Sequence, residues 1–342
     1  MPTTPVDLVA LGGWMDAQGL PPGAFTDVAE LTGGTQNIML RLRRGGHEYV
    51  LRRPPRHLRP RSNDALLREV RVLTALAETP VPVPRVLASC PDPDVLGGAL
   101  FYLMDLINGV NPTVDLTRAH VASPAVRHEM GLNAARAAAA LGEVDHIAAG
   151  LGDIGRPEGF LARQVERWLG ELRSYSAFPG YPGPELPGVR AVADWLERHR
   201  PPGGRPGLMH GDYHLANLVY APDGPWIAAI VDWEMVTVGD PLLDLGWLLA
   251  TWPDPRWRAQ RPSTIADTGG LPDHAELVAA YAEASARDLS AVTWYRVLAC
   301  FKLGIVLEGT HARACAGQAP VVTGDQLHAR AVDLFGQAMS LI

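Results

Sequence analysis

Lysine is almost missing from this chain of 342 residues: Lys302 is the single one among 30 basic residues, so a cation needed elsewhere must be arginine. Cysteine is scarce too. Cys90, Cys300 and Cys315 are odd in number and lack metal-type spacing, which argues against a disulfide framework and fits a reducing cytoplasm. No run approaches the about 18 apolar residues of a membrane-spanning helix, so no membrane association is expected. The opening residues Met1-Pro2-Thr3-Thr4-Pro5 have neither a basic start nor an apolar stretch, so no secretory signal is expected. Positive charge is not in excess. The net charge is −7, and the one arginine cluster, Arg41 to Arg61, is broken by strand-like and proline-rich sequence, which speaks against a nucleic-acid partner. What is present, 47% hydrophobic and 20% charged residues, is the balance of a folded protein, with length for roughly two domains.

The first hundred residues read as β-β-β-α-β-β. Phe25 to Leu31 is a strand, followed by a turn over 32–37. Ile38, Leu40 and Leu42 alternate with Met39, Arg41 and Arg43, the period of a half-buried strand. Gly45-Gly46 suits a two-residue hairpin, and His47 to Arg52 returns. Leu66, Val70, Leu73 and Ala77 mark one helical face, with Asn63 or Asp64 as its cap. Short strands follow at Arg85 to Cys90 and Leu100 to Met104. Beyond them the chain is mostly helical: 128–141, then 158–173, 190–199, 273–287, 291–313 and 324–341. One hairpin interrupts, around Pro222-Asp223-Gly224-Pro225. The expected class is α+β: a small five-stranded antiparallel lobe with one helix over 1–104, a connector at 105–109, and a larger helical lobe over 110–342.

The densest polar sequence is His210-Gly211-Asp212-Tyr213-His214-Leu215-Ala216-Asn217, followed by the hairpin and Asp232-Trp233-Glu234. With the turn centred between 223 and 224, Asn217 faces Ile230, and Asp232 lies two residues on along the same strand. That makes Asn217 and Asp232 a diagonal pair roughly 7–8 Å apart, with an amide oxygen and a carboxylate suited to a hard cation such as Mg²⁺. Asp212 stands on the loop leading in. A zinc cluster of His210, Asp212 and His214 is the competing reading, but it lacks a spaced histidine partner elsewhere.

His-Gly-Asp-x-x-x-x-Asn, the hairpin and Asp-Trp-Glu together resemble the aminoglycoside phosphotransferase and choline kinase group, small-molecule relatives of protein kinases with a bilobal fold. The resemblance covers nearly the whole chain. It implies that Asp212 is the catalytic base and that Asn217 and Asp232 hold Mg²⁺. It implies that ATP, or GTP, lies between the lobes under the turn Gly33-Gly34-Thr35. Tyr49-Val50-Leu51-Arg52 stands where protein kinases have Val-Ala-Ile-Lys, so Arg52 takes the place of the phosphate-binding lysine. Arg53 is the alternative if the register is one residue out. Glu69, on the edge of the buried helix face, is the partner that orients Arg52. Phe101 to Gly109 resembles the hinge, where the Asp105 carbonyl and the Ile107 amide would read the adenine beside Met104. Asp244 resembles the helix aspartate that anchors the catalytic loop, and Asp240 is either a helix cap or part of the substrate side.

The implied activity is phosphoryl transfer from ATP to a small-molecule hydroxyl; a nucleotide-binding module without catalysis is the alternative, favoured by the arginine at 52. The group's acceptors include aminoglycosides, choline-like alcohols, homoserine, sugars and hydroxy acids. Leu51-Arg52-Arg53-Pro54-Pro55 and Asp232-Trp233-Glu234 are similar to kinase-like modules attached to some acyl-CoA dehydrogenases, which adds hydroxyacyl compounds. A choline-type acceptor needs an aromatic cage, for which Trp233, Trp247, Trp252 and Trp294 are the candidates, though they serve equally as core. The sequence leaves the oligomeric state open.

Overall fold

The computed structural model describes residues 6–31, 37–55, 58, 61–184, 186–254, 256 and 263–342. The chain divides into two compact units. The first takes the residues up to Gly109 together with Ala149–Leu151 and Ala228–Glu234, and the second takes the rest.

The first unit opens with helix α1, Leu8–Ala17, capped by the Asp7 carboxylate, which accepts the N–H groups of Val9 and Ala10. Strands β1 (Phe25–Glu30), β2 (Ile38–Arg44) and β3 (His47–Arg53) precede helix α2 (Ser62–Leu76), and β4 (Val86–Cys90) and β5 (Phe101–Asp105) follow it. They form one antiparallel sheet in the order β1-β2-β3-β5-β4. The period-two pattern of β2 works as expected: Leu40 and Leu42 are buried with Leu51, Leu103 and Phe101 in the core. Leu11 and Met15 of α1 complete that core, and Trp14 meets Phe101 edge-on at 4.7 Å. Two expectations change here. The helix α1 was not anticipated. Nor does Asn63 cap α2, whose N-cap position is Arg61 (φ 69°) with no side-chain cap; the Asn63 amide bonds Gly98 O and Leu100 N instead. The segment 228–234 is tied to this unit by Ile230 N–H donating to Pro82 O at 2.8 Å.

The second unit is mostly helical, as expected from the sequence beyond the first hundred residues. It contains α3 (Arg118–Ala122), α4 (Pro124–Glu143), α5 (Gln164–Ser174) and α6 (Val189–Arg198). Short strands β6 (Gly207–Met209), β7 (Leu218–Tyr220), β8 (Ile227–Ile230, which runs on into the first unit) and β9 (Thr237–Gly239) come next. Helices α7 (Leu242–Thr251), α8 (Thr264–Thr268), α9 (His274–Ala284), α10 (Val292–Cys315) and α11 (Val321–Ser340) end the chain. α10 is buried on nearly every side and packs on α7 and α11. Antiparallel pairing of β6 with β9 (Leu208 opposite Val238) brackets the polar loop that starts at His210. No helix among the described residues is long and apolar enough to cross a membrane.

Candidate active site

The loop His210–Asn217 is held from below by the second unit. Tyr213, fully buried, donates its hydroxyl to Ala134 O at 2.7 Å, and Tyr220 donates to Met130 O at 2.8 Å. Both carbonyls belong to α4, whose buried face is lined by Ala134, Ala135, Ala138 and Ala139, small enough to let the loop come close. Gly211 has φ 85°, and a Cβ there would stand 2.4 Å from the Met235 carbonyl oxygen, so only glycine fits.

Asp244, in the first turn of α7, accepts the His210 N–H at 2.6 Å and the Gly211 N–H at 2.9 Å, the buried anchoring its sequence position suggested. Burial raises its carboxyl to about 6, against the pull of those two N–H groups and of Lys302. Lys302 is the residue sequence reasoning passed over. Its Nζ donates to Gly211 O at 3.0 Å, 4.3 Å from the centre of the Trp247 ring and 5.6 Å from that of Trp168. Burial pushes the ammonium down to about 8, with Asp244 and Asp212 partly restoring it. The one lysine of the chain therefore braces the polar loop from inside α10.

Asp212 projects from this scaffold with a third of its side chain exposed (34%), enough for a small molecule to reach. Asn217 donates its amide to the Asp212 carbonyl at 2.9 Å and to Oδ2 at 3.2 Å. His214 Nδ1 accepts the Ala216 N–H at 3.2 Å, so its proton sits on Nε2, which faces Asp212 Oδ1 at 3.3 Å. Partial burial opposes ionisation of Asp212, but His214, His210 and Lys302 outweigh it and hold the carboxyl at about 2. His214 is thus a brace of the loop, a role hidden inside the variable part of the motif. Because the Asn217 nitrogen is used internally, its amide oxygen is the atom left to ligate a cation. Asn217 itself lies in a 3₁₀ turn, Leu215–Asn217, before β7.

In the first unit, Arg52 is buried, with its side chain 8% exposed. Its Nε lies 2.9 Å from Glu69 Oε2, a charge pair rather than an aligned hydrogen bond, and Nη2 donates to Asp232 Oδ1 at 3.2 Å. Tyr102 is the cross-strand partner of Arg52, and its hydroxyl bonds Glu69. Burial works against the Arg52 charge, but Glu69, Tyr102 and Asp232 hold the guanidinium above its ordinary value. Burial also lifts Glu69, to about 6, despite Arg52. Arg53 instead turns its Nε to Pro54 O at 3.3 Å. Asp232 has φ 67° and lies beyond the end of β8. The alternation argument for Asn217 and Asp232 therefore fails at both ends: neither residue is on a strand. The turn register behind it does hold, since Ala221 N–H donates to Trp226 O at 2.8 Å.

Of the other expected residues, Gly33, Gly34 and Thr35 lie outside the described residues. Met104 is buried in β5, the Asp105 N–H is taken by Arg85 O at 3.0 Å, and the Ile107 amide donates to no other described group. Asp240, two residues ahead of α7, accepts the Leu242 N–H at 3.2 Å and the Tyr295 hydroxyl at 2.7 Å, while the N-cap position itself is Pro241. It lines a cavity of about 330 Å³ with Gly204, Arg287 and Tyr295. The four tryptophans proposed as a cage are all core: Trp233, Trp247, Trp252 and Trp294 are at most 4% exposed, and the Trp247 ring faces Lys302 rather than a ligand.

The geometry is that of a known family. Residues 27–281 match the model of the phosphotransferase enzyme family. A solved structure from Ralstonia eutropha JMP134, described as a "putative aminoglycoside phosphotransferase", superposes with a TM-score of 0.79 at 29% identity, covering 98% of this chain and 99% of that one. An aminoglycoside phosphotransferase, APH(4)-Ia, solved as a ternary complex with ADP and hygromycin B, shares the fold with a TM-score of 0.57 at 14% identity over 94% of this chain and 97% of its own. Among curated proteins, the Arabidopsis thaliana "Probable acyl-CoA dehydrogenase IBR3" is 32% identical over 284 residues, 79% of this chain and 34% of the relative. Human acyl-CoA dehydrogenase family member 11 is 29% identical over 86% of this chain and 37% of its own length. The chain thus spans about a third of the curated relatives it matches. With a five-stranded antiparallel sheet, a helical second unit and the His210–Asn217 loop, this α+β chain belongs to the phosphotransferase enzyme family, with the protein-kinase-like fold of the aminoglycoside phosphotransferases.

Proposed function

We propose that the chain is an ATP-dependent kinase of a small-molecule hydroxyl. The observation that carries the reading is Asp212: a part-exposed carboxylate kept ionised at about 2 by His214 and braced by Asn217. A carboxylate that acidic is a weak base. Its work is to orient the acceptor hydroxyl and to take its proton late, as phosphoryl transfer requires little nucleophile activation. Arg52, already charged and directed by Glu69, offers a phosphate contact. Asn217, with its amide oxygen free, and Asp232, with one carboxylate oxygen bonded to Arg52, supply the hard oxygen donors that suit Mg²⁺. When bound, that ion neutralises charge on the transferring phosphate. The Ile107 amide and the Asp105 carbonyl are the adenine contacts of this reading, with Met104 an apolar wall and Gly33-Gly34-Thr35 the covering turn.

The acceptor is the finer part of the proposal. Burial of the four tryptophans takes away the cage considered for a choline-type substrate. The curated relatives carry acyl-CoA dehydrogenase names, and this makes hydroxyacyl compounds the first acceptors to test, ahead of aminoglycosides and sugars. A screen of hydroxylated metabolites by ADP release, with Asp212→Asn as the control, tests both levels. The proposal expects at least one acceptor to stimulate release in the wild type alone. The arginine in place of lysine favours a second reading, a nucleotide-binding module without transfer, in which ATP binds and no acceptor stimulates release.

A further inference from the structure

A cluster away from the polar loop joins α10 to α11. Glu308, His311 and His328 each offer a ligand atom within 4.8 Å of the other two. Glu308 and His311 are three residues apart on α10 and share a face; His328 comes from α11. Glu308 is fully buried, an unusual place for a carboxylate. Its Oε1 accepts the Tyr181 hydroxyl at 2.7 Å, and its Oε2 lies 2.7 Å from His328 Nδ1. The His311 and His328 rings stand 4.7 Å apart at 35°. The helices come this close because Gly324 faces Ala314, where a Cβ would sit 2.4 Å from the alanine methyl.

The decisive atom is His311 Nδ1. It is buried and has no hydrogen-bond partner among the described residues; Asp325 Oδ1 lies 3.7 Å away. Its other nitrogen, Nε2, lies 3.8 Å from Cys315 Sγ. A proton on Nε2, directed at that sulfur, leaves the Nδ1 lone pair without a donor among the described residues. An imidazole lone pair, a buried carboxylate and a second imidazole are a complete set of three for a borderline-soft divalent ion, and imidazole nitrogen excludes Mg²⁺ as the natural occupant. Tyr181, bonded to the far oxygen of Glu308, fixes the carboxylate as outer partners of zinc ligands do. Around a tetrahedral zinc, ligand atoms stand roughly 3.3 to 3.4 Å apart, so Glu308 and His328 would open slightly and His311 move inward.

We infer that Glu308, His311 and His328 form a site for a zinc-type divalent ion that fastens α11 to α10. The ion takes His328 as a neutral imidazole, bound through Nδ1 with the ring's single proton on Nε2, so protons compete with the metal for the site. The two histidines are partly exposed at 17% and 27%, which leaves a path for entry.

The test is a calorimetric titration of Zn²⁺ into the tag-free, chelator-treated full chain at pH 7.5, paired with thermal melts. The expected result is one saturable site, a raised Tm with zinc, and affinity reduced at least about tenfold in both His311→Gln and His328→Gln. Circular dichroism of the two variants without metal checks that each is folded, and the wild-type titration stands whatever they do. Absence of a saturable site in the wild type overturns the inference. So does undiminished affinity in the folded variants, which would assign binding to histidines elsewhere.

Discussion

Lys302 donates its ammonium to the carbonyl of Gly211 at 3.0 Å, so the only lysine of the chain holds the residue next to Asp212. Its folded value of about 8 lies below its ordinary 10.5, a sign that burial outweighs the nearby carboxylates. Between those two values the unfolded chain binds more protons than the folded one, so stability gains with rising pH there. Below about 8 the charged form burdens the fold, and the burden is relieved on the way to 10.5. Lys302→Met should therefore change the pH dependence. The difference in urea stability between wild type and variant should shift towards the wild type from pH 8 to 10, by on the order of 1 kcal/mol per pH unit at most. Activity should fall as well, since the Gly211 carbonyl loses its donor.

Gly211→Ala should be strongly destabilising. The substitution combines a left-handed backbone with a Cβ 2.4 Å from Met235 O. A loss of about 2 kcal/mol or more in urea denaturation is expected; a variant as stable as wild type would mean that the loop is not confined as described.

Arg52→Ala should cost more activity than Arg53→Ala, because a charge-assisted phosphate contact is worth roughly 1.5–3 kcal/mol, about ten- to a hundredfold in kcat/KM. It should also cost stability, as Glu69 would be left buried without its partner. Arg52→Lys should retain part of the activity, keeping the charge and losing the fork. A larger kinetic loss from Arg53→Ala would move the phosphate contact one residue along β3.

Much of this was legible in the sequence, and the misses have physical causes. The sheet came through because alternation in β2 and the Gly45-Gly46 turn are local signals, and both glycines do adopt positive φ. Asp244 was legible through its place in the motif. Helix α1 was not legible: Gly12-Gly13 cost about 1 kcal/mol per glycine in helix propensity, and the Asp7 cap and burial of Leu11 and Met15 override that cost. Lys302 stood in the sequence only as the single lysine, although it sits in an apolar helix. That same fact was a signal: a charged group inside such a helix needs a partner, and here the partner is 91 residues away. Turn symmetry predicted the Ala221–Trp226 pairing but said nothing about where the strand stops, so the left-handed conformation of Asp232 was not legible.

Asp232→Ala should abolish the Mg²⁺-dependent part of ATP affinity while the fold remains, since Asp232 is 42% exposed and contributes little packing. Calorimetric titration of ATP with and without Mg²⁺ measures this. An unchanged metal-dependent affinity would remove Asp232 from the cation site.

The most direct test of the account is acceptor-stimulated ATP turnover in wild type and Asp212→Asn, with ATP affinity measured on the same samples. The substitution keeps size and removes the carboxylate held at about 2. The account predicts a fall in kcat of about 10² to 10⁴, with nucleotide affinity within a few fold of wild type. Equal turnover in the two proteins, or ATP bound by wild type and never consumed with any hydroxylated acceptor, would contradict it.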